Sequence, residues 1–138
     1  MDYELTWDAW YGFYVRFAGW LTPAAAARLA HELTSDPRFD DSRYGIVDVL
    51  DCPGHRFRRS DAAQIALATG EILGALKSNP SIVQVAICTD QRLLNLVETY
   101  RKFTRLPVHV FQTRTEAHDW LAEQSQYLRH LAGTASSN

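Results

Sequence analysis

Apolar and polar residues alternate over residues 3–7, and a period of two is typical of a half-buried strand. Asp8 and Ala9 then turn the chain, and residues 10–18 are rich in aromatic and β-branched residues, which predicts a second strand. Two strands joined by so short a turn form an antiparallel hairpin. The hairpin is predicted to lie at the edge of a sheet.

Three later segments are predicted to be strands, and the first two are almost continuously apolar, which is typical of strands covered on both faces in a parallel sheet. They are residues 44–50, 82–88 and 108–111. Between and after them, apolar residues recur at helical spacing, and each helix has an N-terminal signal. These signals are Thr22 before Pro23, Ser60, Asp90, and the capping box of Thr113 with Glu116. Asp36-Pro37 and Asn79-Pro80 end the first two helices, and residues 39–42 are predicted to form a loop.

The predicted order of elements is therefore ββαβαβαβα. Strands that alternate with helices imply right-handed crossovers, so we expect an α/β fold with a mostly parallel five-stranded sheet, an antiparallel N-terminal edge hairpin and flanking helices. No linker or repeat divides the chain, so residues 1–132 are predicted to be a single domain. Residues 133–138 are small and polar, and the sequence predicts that this tail is disordered.

Charge and composition exclude several classes of function. The chain has 138 residues and a net charge of −2, so it has no positive field for nucleic acid. No apolar run is long enough for a membrane span, and the N-terminus has no signal-peptide pattern. Cys52 and Cys88 are far apart without a Cys-x-x-Cys spacing, which favours a reducing, cytoplasmic location. The histidines and cysteines form no pattern of metal ligands, so neither a metal nor a cofactor is predicted.

Half of the aromatic residues fall within the first twenty positions. Each buried aromatic removes about 150–250 Å² from water, and one hairpin over a small core can hardly bury them all. We expect three of these aromatics, Trp7, Phe13 and Phe17, to be core together with the neighbouring Val15. Four others are candidates for a homodimer surface, namely Trp10, Tyr11, Tyr14 and Trp20. Exposed aromatics beside an edge strand suit an interface between two copies.

Polar residues cluster where the parallel strands end, which is where ligands bind in open α/β sheets. The candidate ligand- or partner-binding residues are Asp51, His55, Arg56, Arg58, Arg59, Ser60, Thr89, Asp90 and Thr113. Guanidinium groups beside helix N-termini form a plausible anion site. The alternative is a solvated loop whose charges have no ligand, since the chain contains no glycine-rich phosphate motif.

Two further features of this region allow alternative interpretations. Asp48 lies inside an apolar strand, so it is expected to accept hydrogen bonds from the backbone or a tyrosine hydroxyl, or else to contact a ligand. Asp51, Cys52 and His55 allow a thiol nucleophile with a base and an orienting carboxylate. A cysteine at the end of a strand is more often a small buried residue, so the sequence leaves enzyme activity open and favours its absence.

Several stretches resemble the STAS domain, the fold of bacterial anti-sigma factor antagonists, and its SpoIIAA-like relatives. They are the hairpin leading into the Thr-Pro helix (residues 17–23), the strand IVDVLD (residues 46–51), and the final VHVF strand followed by Glu116, Ala117, Trp120 and Leu121. In that family, a serine that begins the helix after the central strand is a phosphorylation switch within Asp-Ser-Ser/Thr-Gly. Here the segment is Arg-Ser-Asp-Ala, so only Ser60 matches, and the alternative is that Ser60 is a helix cap.

The resemblance implies a non-enzymatic regulatory module that binds a protein partner or a second copy of itself, through residues 51–60 and the helix that follows. The first alternative is a protein that binds a small apolar or anionic ligand, related in fold to CRAL-TRIO lipid carriers, with a cavity between sheet and helices. The second is an enzyme that uses Asp51, Cys52 and His55.

Overall fold

The structure, a computed structural model of the chain, describes residues 3–8, 12–58, 70, 79–105 and 107–124. Its sheet contains β1 (Tyr3–Asp8), β2 (Gly12–Phe17), β3 (Tyr44–Asp48), β4 (Val83–Ile87) and β5 (Val108–Phe111). The helices are α1 (Pro23–Ser35), α2 (Arg38–Asp41), α3 (Gln91–Thr104) and α4 (residues 114–124). Apart from Gly70, the helix predicted to begin at Ser60 lies outside the described residues, and so does the C-terminal tail.

The strands follow each other across the sheet in the order β1-β2-β3-β4-β5. β1 and β2 are antiparallel, and every later neighbour is parallel. This confirms the predicted α/β class, the mostly parallel five-stranded sheet and the antiparallel edge hairpin. The carboxyl ends of β2 to β5 therefore lie along one edge of the sheet, which we call the carboxyl edge.

The sheet separates two hydrophobic clusters. The larger one packs β2 against α1 and α3 and includes Phe17, Leu29 and Leu93. The second lies on the opposite face, where Ile46 and Ile87 meet Ala117 and Leu121 of α4. Because both faces are covered, the central strands contain apolar residues on both sides, which explains their nearly continuous hydrophobic sequence.

Helix caps begin the helices where the sequence predicted them. The Thr22 hydroxyl accepts a hydrogen bond from the Ala25 N–H at 3.1 Å, and the Asp90 carboxylate accepts one from the Arg92 N–H at 2.8 Å. The predicted loop at residues 39–42 is wrong, because α2 occupies most of it. A single buried side chain, Phe39, gives this short helix its packing: it is 3% exposed.

Two glycines allow aromatic rings to lie against neighbouring strands. A Cβ atom on Gly45 would lie 2.1 Å from the Phe13 ring, and one on Gly12 would lie 2.2 Å from the Tyr44 ring. No side chain fits at those distances, so the aromatic packing across β2 and β3 requires glycine at both positions. Within the described residues, no helix is both long and apolar enough to cross a membrane.

Candidate functional site

The parallel register brings the strand ends to a common edge. Asp48 pairs with Ile87, and Ile87 pairs with Phe111, so the segments that follow β3, β4 and β5 leave the sheet side by side. Of the predicted site residues, this edge holds Asp51, Thr89, Asp90 and Thr113. The sequence predicted this common placement, and their role in binding stays a prediction.

Asp48 is the most deeply buried charge of this edge, with a fully buried side chain. Its carboxylate accepts hydrogen bonds from the Arg114 Nε at 2.6 Å, from the Leu50 N–H at 3.0 Å and from the Tyr14 hydroxyl. The expectation that Asp48 is satisfied by the backbone and a tyrosine is thereby confirmed. The bond to Leu50 also turns the chain and ends β3 at Asp48.

The hydrogen bonds at Asp48 outweigh its burial. Burial raises the pKa of the carboxyl group, but the bonds from Arg114, Tyr14 and Leu50 lower it, and the net pKa lies below the usual value. Burial and the bond to Asp48 both raise the pKa of Tyr14, which therefore remains a protonated donor. The Asp48 carboxyl group is therefore ionised and paired at neutral pH, which suits a structural role.

A second carboxylate extends this cluster to the surface. Asp51 accepts from the Arg114 Nη2 at 3.2 Å and from the Arg16 Nε at 2.7 Å. Arg16 and Asp51 are 51% and 42% exposed, so water screens their attraction. We call Arg16, Asp48, Asp51 and Arg114 the ion-pair network. It connects β2, β3 and the first turn of α4.

Residues 51–58, which we call the edge loop, are held against two neighbours. The Leu21 N–H donates to the Gly54 carbonyl at 3.1 Å, and the Arg56 N–H donates to the Leu21 carbonyl at 2.9 Å. These bonds form an isolated parallel bridge between Leu21 and His55. On the other side, the Arg92 Nη2 donates to the Pro53 carbonyl at 2.9 Å. The loop is therefore bound to the start of α1 and the start of α3.

An aromatic–cation pair lies on the outside of the edge loop. Trp20 is the large hydrophobic side chain that stays exposed within the described part of the chain, at 40%. A Cβ on Gly54 would be 2.7 Å from the indole, so the ring packs directly on the glycine backbone. The Arg56 guanidinium carbon lies 4.7 Å from the centre of the indole ring. This is the distance range of a cation–π interaction.

The thiol of the alternative catalytic cluster faces the core. Cys52 is 6% exposed, and its sulfur lies 3.9 Å from the Phe17 carbonyl oxygen, whereas the His55 Nδ1 accepts from the Phe57 N–H at 3.1 Å. No hydrogen bond joins Cys52 to His55 among the described residues. Burial, reinforced by Asp48 and Asp51, raises the pKa of Cys52 to about 11. A neutral, buried thiol is a poor nucleophile at neutral pH.

Other predicted site residues begin helices. The Thr113 hydroxyl accepts from the Glu116 N–H at 3.1 Å, so it caps α4 as Asp90 caps α3. Thr89 is exposed beside Asp90, and Arg58 is exposed at the end of the edge loop. Arg59 and Ser60 lie outside the described residues, and so does the helix that Ser60 is predicted to begin, apart from Gly70.

The aromatic candidates for a dimer surface fall into three groups. Trp20 is exposed, as described above. Tyr14 is half-buried, and its ring stacks on His118 of α4 with the ring centres 5.9 Å apart and the planes 7° from parallel. Trp10 and Tyr11 lie outside the described residues. The expected core members Phe13, Val15 and Phe17 are buried, and Trp7 packs partly buried against them. The homodimer stays a prediction.

A cavity of about 250 Å³ lies on the other face of the sheet from α4. Side chains of the sheet, α1, α2, α3 and the edge loop line it, and most of them are apolar. Its aromatic members are Phe13, Phe17, Phe39, Phe57 and Tyr100. A polar pair interrupts the apolar wall, where the Tyr100 hydroxyl donates to the Gln84 Oε1 at 2.8 Å. The apolar lining suits the alternative of an apolar ligand, while the volume lies just below the range of about 300–1,000 Å³ that is typical of ligand pockets.

Within the described ranges, no group of three or more histidine, cysteine or acidic side chains is arranged to hold a metal ion. Cys52 and Cys88 are both buried free thiols.

Sequence reasoning did not identify the two arginines of the ion-pair network. Arg114 lies in the first turn of α4, where a cation opposes the helix dipole, so a nearby carboxylate was a reasonable inference. Arg16 shares a face with Tyr14 because strand residues two apart point the same way. Both positions can be recognised in the sequence, but neither indicates which carboxylate the arginine pairs with.

Comparisons with known proteins support the fold. No protein-family model and no curated protein sequence matches the chain. Among solved structures, the unphosphorylated form of the anti-sigma factor antagonist SpoIIAA is similar with a TM-score of 0.56 and 14% identity, over 87% of this chain and 97% of that one. The phosphorylated form of SpoIIAA, a Bacillus cell fate determinant, is similar with a TM-score of 0.51 and 12% identity, over 86% and 98%. The predicted resemblance is confirmed at the level of the fold.

Proposed function

We propose that this protein is a regulatory module that binds another protein through its carboxyl edge, and that it has no enzymatic activity. The observation that carries the proposal is the near full-length likeness to an anti-sigma factor antagonist. The edge loop supports it further, because its backbone is bound to both neighbouring helix starts while the Trp20 and Arg56 side chains face outwards. A surface with a rigid backbone and exposed anchors suits recognition.

Site-specific crosslinking in cells that naturally contain the protein tests this proposal. We would place the photoreactive residue benzoylphenylalanine at position 58 of the edge loop. The matched control places it at exposed Lys102, near the opposite end of α3. We expect a discrete crosslinked protein from position 58 and not from position 102. Equal crosslinking from both positions, or none from position 58, would contradict an interface at this edge.

Ser60 is proposed as a phosphorylation site of this interface. It follows Arg58 and Arg59 in sequence, and guanidinium groups stabilise a phosphate. One of the similar solved structures is a phosphorylated form of its protein. We expect Ser60→Glu to change the yield of a crosslink from benzoylphenylalanine at exposed position 89 of the same edge, which keeps Arg58, while Ser60→Ala leaves it near the unmodified level. Identical yields for both variants would argue against the switch.

The homodimer is proposed as a property separate from partner binding. Size-exclusion chromatography with light scattering measures it directly, and we expect twice the mass of the chain. A monomer at concentrations of about tens of micromolar would refute it.

The cavity is the observation that favours a second function, the binding of a small apolar ligand, although the likeness to SpoIIAA does not support it. Native mass spectrometry of the purified protein would show a retained small molecule. Ala86→Leu places extra atoms in the cavity wall and should abolish binding of that molecule, so its added mass should disappear from the spectrum. Ala24→Leu at an exposed position of α1 should leave the added mass unchanged. An unliganded mass for the unaltered protein would count against this function.

A further inference from the structure

Two arginine–tryptophan pairs occur in the described structure, and they differ in one respect. Arg38 lies over the Trp7 ring at 4.6 Å, and Arg56 lies over the Trp20 ring at 4.7 Å. Arg38 also holds a carboxylate with two donors: its Nε lies 3.1 Å from the Asp36 Oδ1, and its Nη2 lies 2.8 Å from the Asp36 Oδ2. The Trp7 pair therefore forms a complete stack of indole, guanidinium and carboxylate within the chain.

The Trp20 pair has the first two parts of that stack and not the third. No carboxylate of the described residues bonds to the Arg56 guanidinium, although it carries five N–H donors in a planar fork. The nearby cations are engaged elsewhere: Arg92 with Asp90 and the Pro53 carbonyl, and Arg16 with Asp51. Within the described part of the chain, the donors of Arg56 are therefore available to an outside acceptor.

The pair is also held in place before any partner arrives. The backbone of Arg56 bonds to Leu21, and the Trp20 ring packs on Gly54. Stacking on the indole orients the guanidinium plane, so less conformational entropy is lost when its donors bind. A positive fork beside an exposed apolar ring is complementary to a negative, planar group attached to apolar atoms.

We propose that Trp20 and Arg56 bind an acidic side chain of the partner protein, with its carboxylate on the Arg56 fork and adjoining apolar atoms against the Trp20 ring. This inference rests on the proposed function and names the chemistry of its partner. A carboxylate fits better than a nucleic acid, because one available fork matches one planar anion and the net charge of the chain is −2.

The probe is a phage library of random short peptides, which is selected on the purified protein. We expect the enriched peptides to carry Asp or Glu next to an apolar residue. The proposal would be overturned if the enriched peptides lacked acidic residues, or if no peptide were enriched over a blank surface. It would also be overturned if the protein bound only in a phosphate-dependent way, or preferred an oligonucleotide competitor to the peptides.

Variants then test the pair with a synthetic copy of the best peptide. We expect Arg56→Gln and Trp20→Ala each to weaken binding by about tenfold or more. Arg56→Lys keeps the charge but loses the planar fork, so it should weaken binding almost as much. Arg38→Gln alters the matched pair, whose carboxylate is already present, and should leave affinity unchanged. If Arg56→Lys binds the peptide as tightly as the unaltered protein, the planar donors of Arg56 do not recognise it. If Arg38→Gln weakens binding as much as Arg56→Gln, the site does not lie at Trp20 and Arg56.

The crosslinking experiment separates this inference from the function beneath it. A partner captured from position 58 with equal yield in the unaltered protein and in Arg56→Gln leaves the proposed function standing and refutes the Arg56 site. The absence of any captured partner refutes the proposed function itself.

Discussion

The Asp48 carboxylate loses its hydration when β3 is covered by α4, and hydrogen bonds replace it. Three donors reach it, and one of them, Arg114, carries a full charge. A buried carboxylate without such partners would cost several kcal/mol, on the order of what a small domain has to spare. The stability of this edge therefore depends on single residues that are far apart in sequence.

Arg114→Gln should lower the free energy of unfolding by about 2 kcal/mol, because it leaves Asp48 buried without its charged partner. This figure already allows for the partial exposure of Arg114, which weakens the pair through solvent screening. The matched variant Arg16→Gln removes an exposed ion pair and should cost less than about 1 kcal/mol. Urea denaturation of both variants measures the difference. Equal losses would mean that the burial of Asp48 has no energetic importance.

The lowered pKa of Asp48 predicts a pH dependence of stability. A carboxyl group whose pKa is lower in the folded state stabilises the fold above its unfolded pKa of about 3.9. That contribution is lost as the pH falls through the lowered folded value. We expect the urea midpoint to decrease below about pH 4, and to decrease less in Asp48→Asn. Parallel curves for the two proteins would contradict the assignment.

Elements of this chain begin and end through short-range contacts, which explains why the sequence predicted most of them. Thr22 lies three residues from the N–H that it caps, and Thr113 has the same relation to Glu116. The short helix α2 was not predicted, because its stability comes from burying Phe39 against the distant ring of Phe13. Local pattern is informative only where local contacts decide the structure.

Thr22→Ala should lower the free energy of unfolding by about 1 kcal/mol, because the first turn of α1 loses the acceptor of the Ala25 N–H. Thr22→Ser keeps that hydroxyl and should retain most of the stability. Thermal unfolding followed by circular dichroism compares the two. A serine variant as unstable as the alanine variant would show that the cap contributes little.

At the scale of the whole molecule, the two faces of the sheet differ in what packs against them. The α4 face contains the ion-pair network and a small apolar cluster, while the α1 and α3 face holds the larger core and the cavity. Both cysteines lie at the carboxyl edge on the core side, each shielded from water. The reactivity of both thiols therefore depends on whether the whole protein is folded.

The native thiols should not react with a disulfide reagent at neutral pH, and should react fully once the protein is denatured. Burial raises the pKa of Cys52 to about 11 and also raises that of Cys88, so both remain neutral. Absorbance after adding Ellman's reagent, with and without urea, gives the measurement. Rapid labelling of the folded protein would show that one of the two is accessible.

The sequence by itself determined the elements, their order and the parallel sheet, because periodicity and helix caps act over a few residues. It also determined that Asp48 needs partners, since a buried charge is costly in any fold. Only the tertiary structure decided that Arg114, 66 residues away, supplies one of them. The pairing of Arg56 with Trp20 likewise needed the bridge between Leu21 and His55. Such contacts depend on which distant side chains the packed layers bring together, and no local pattern contains that information.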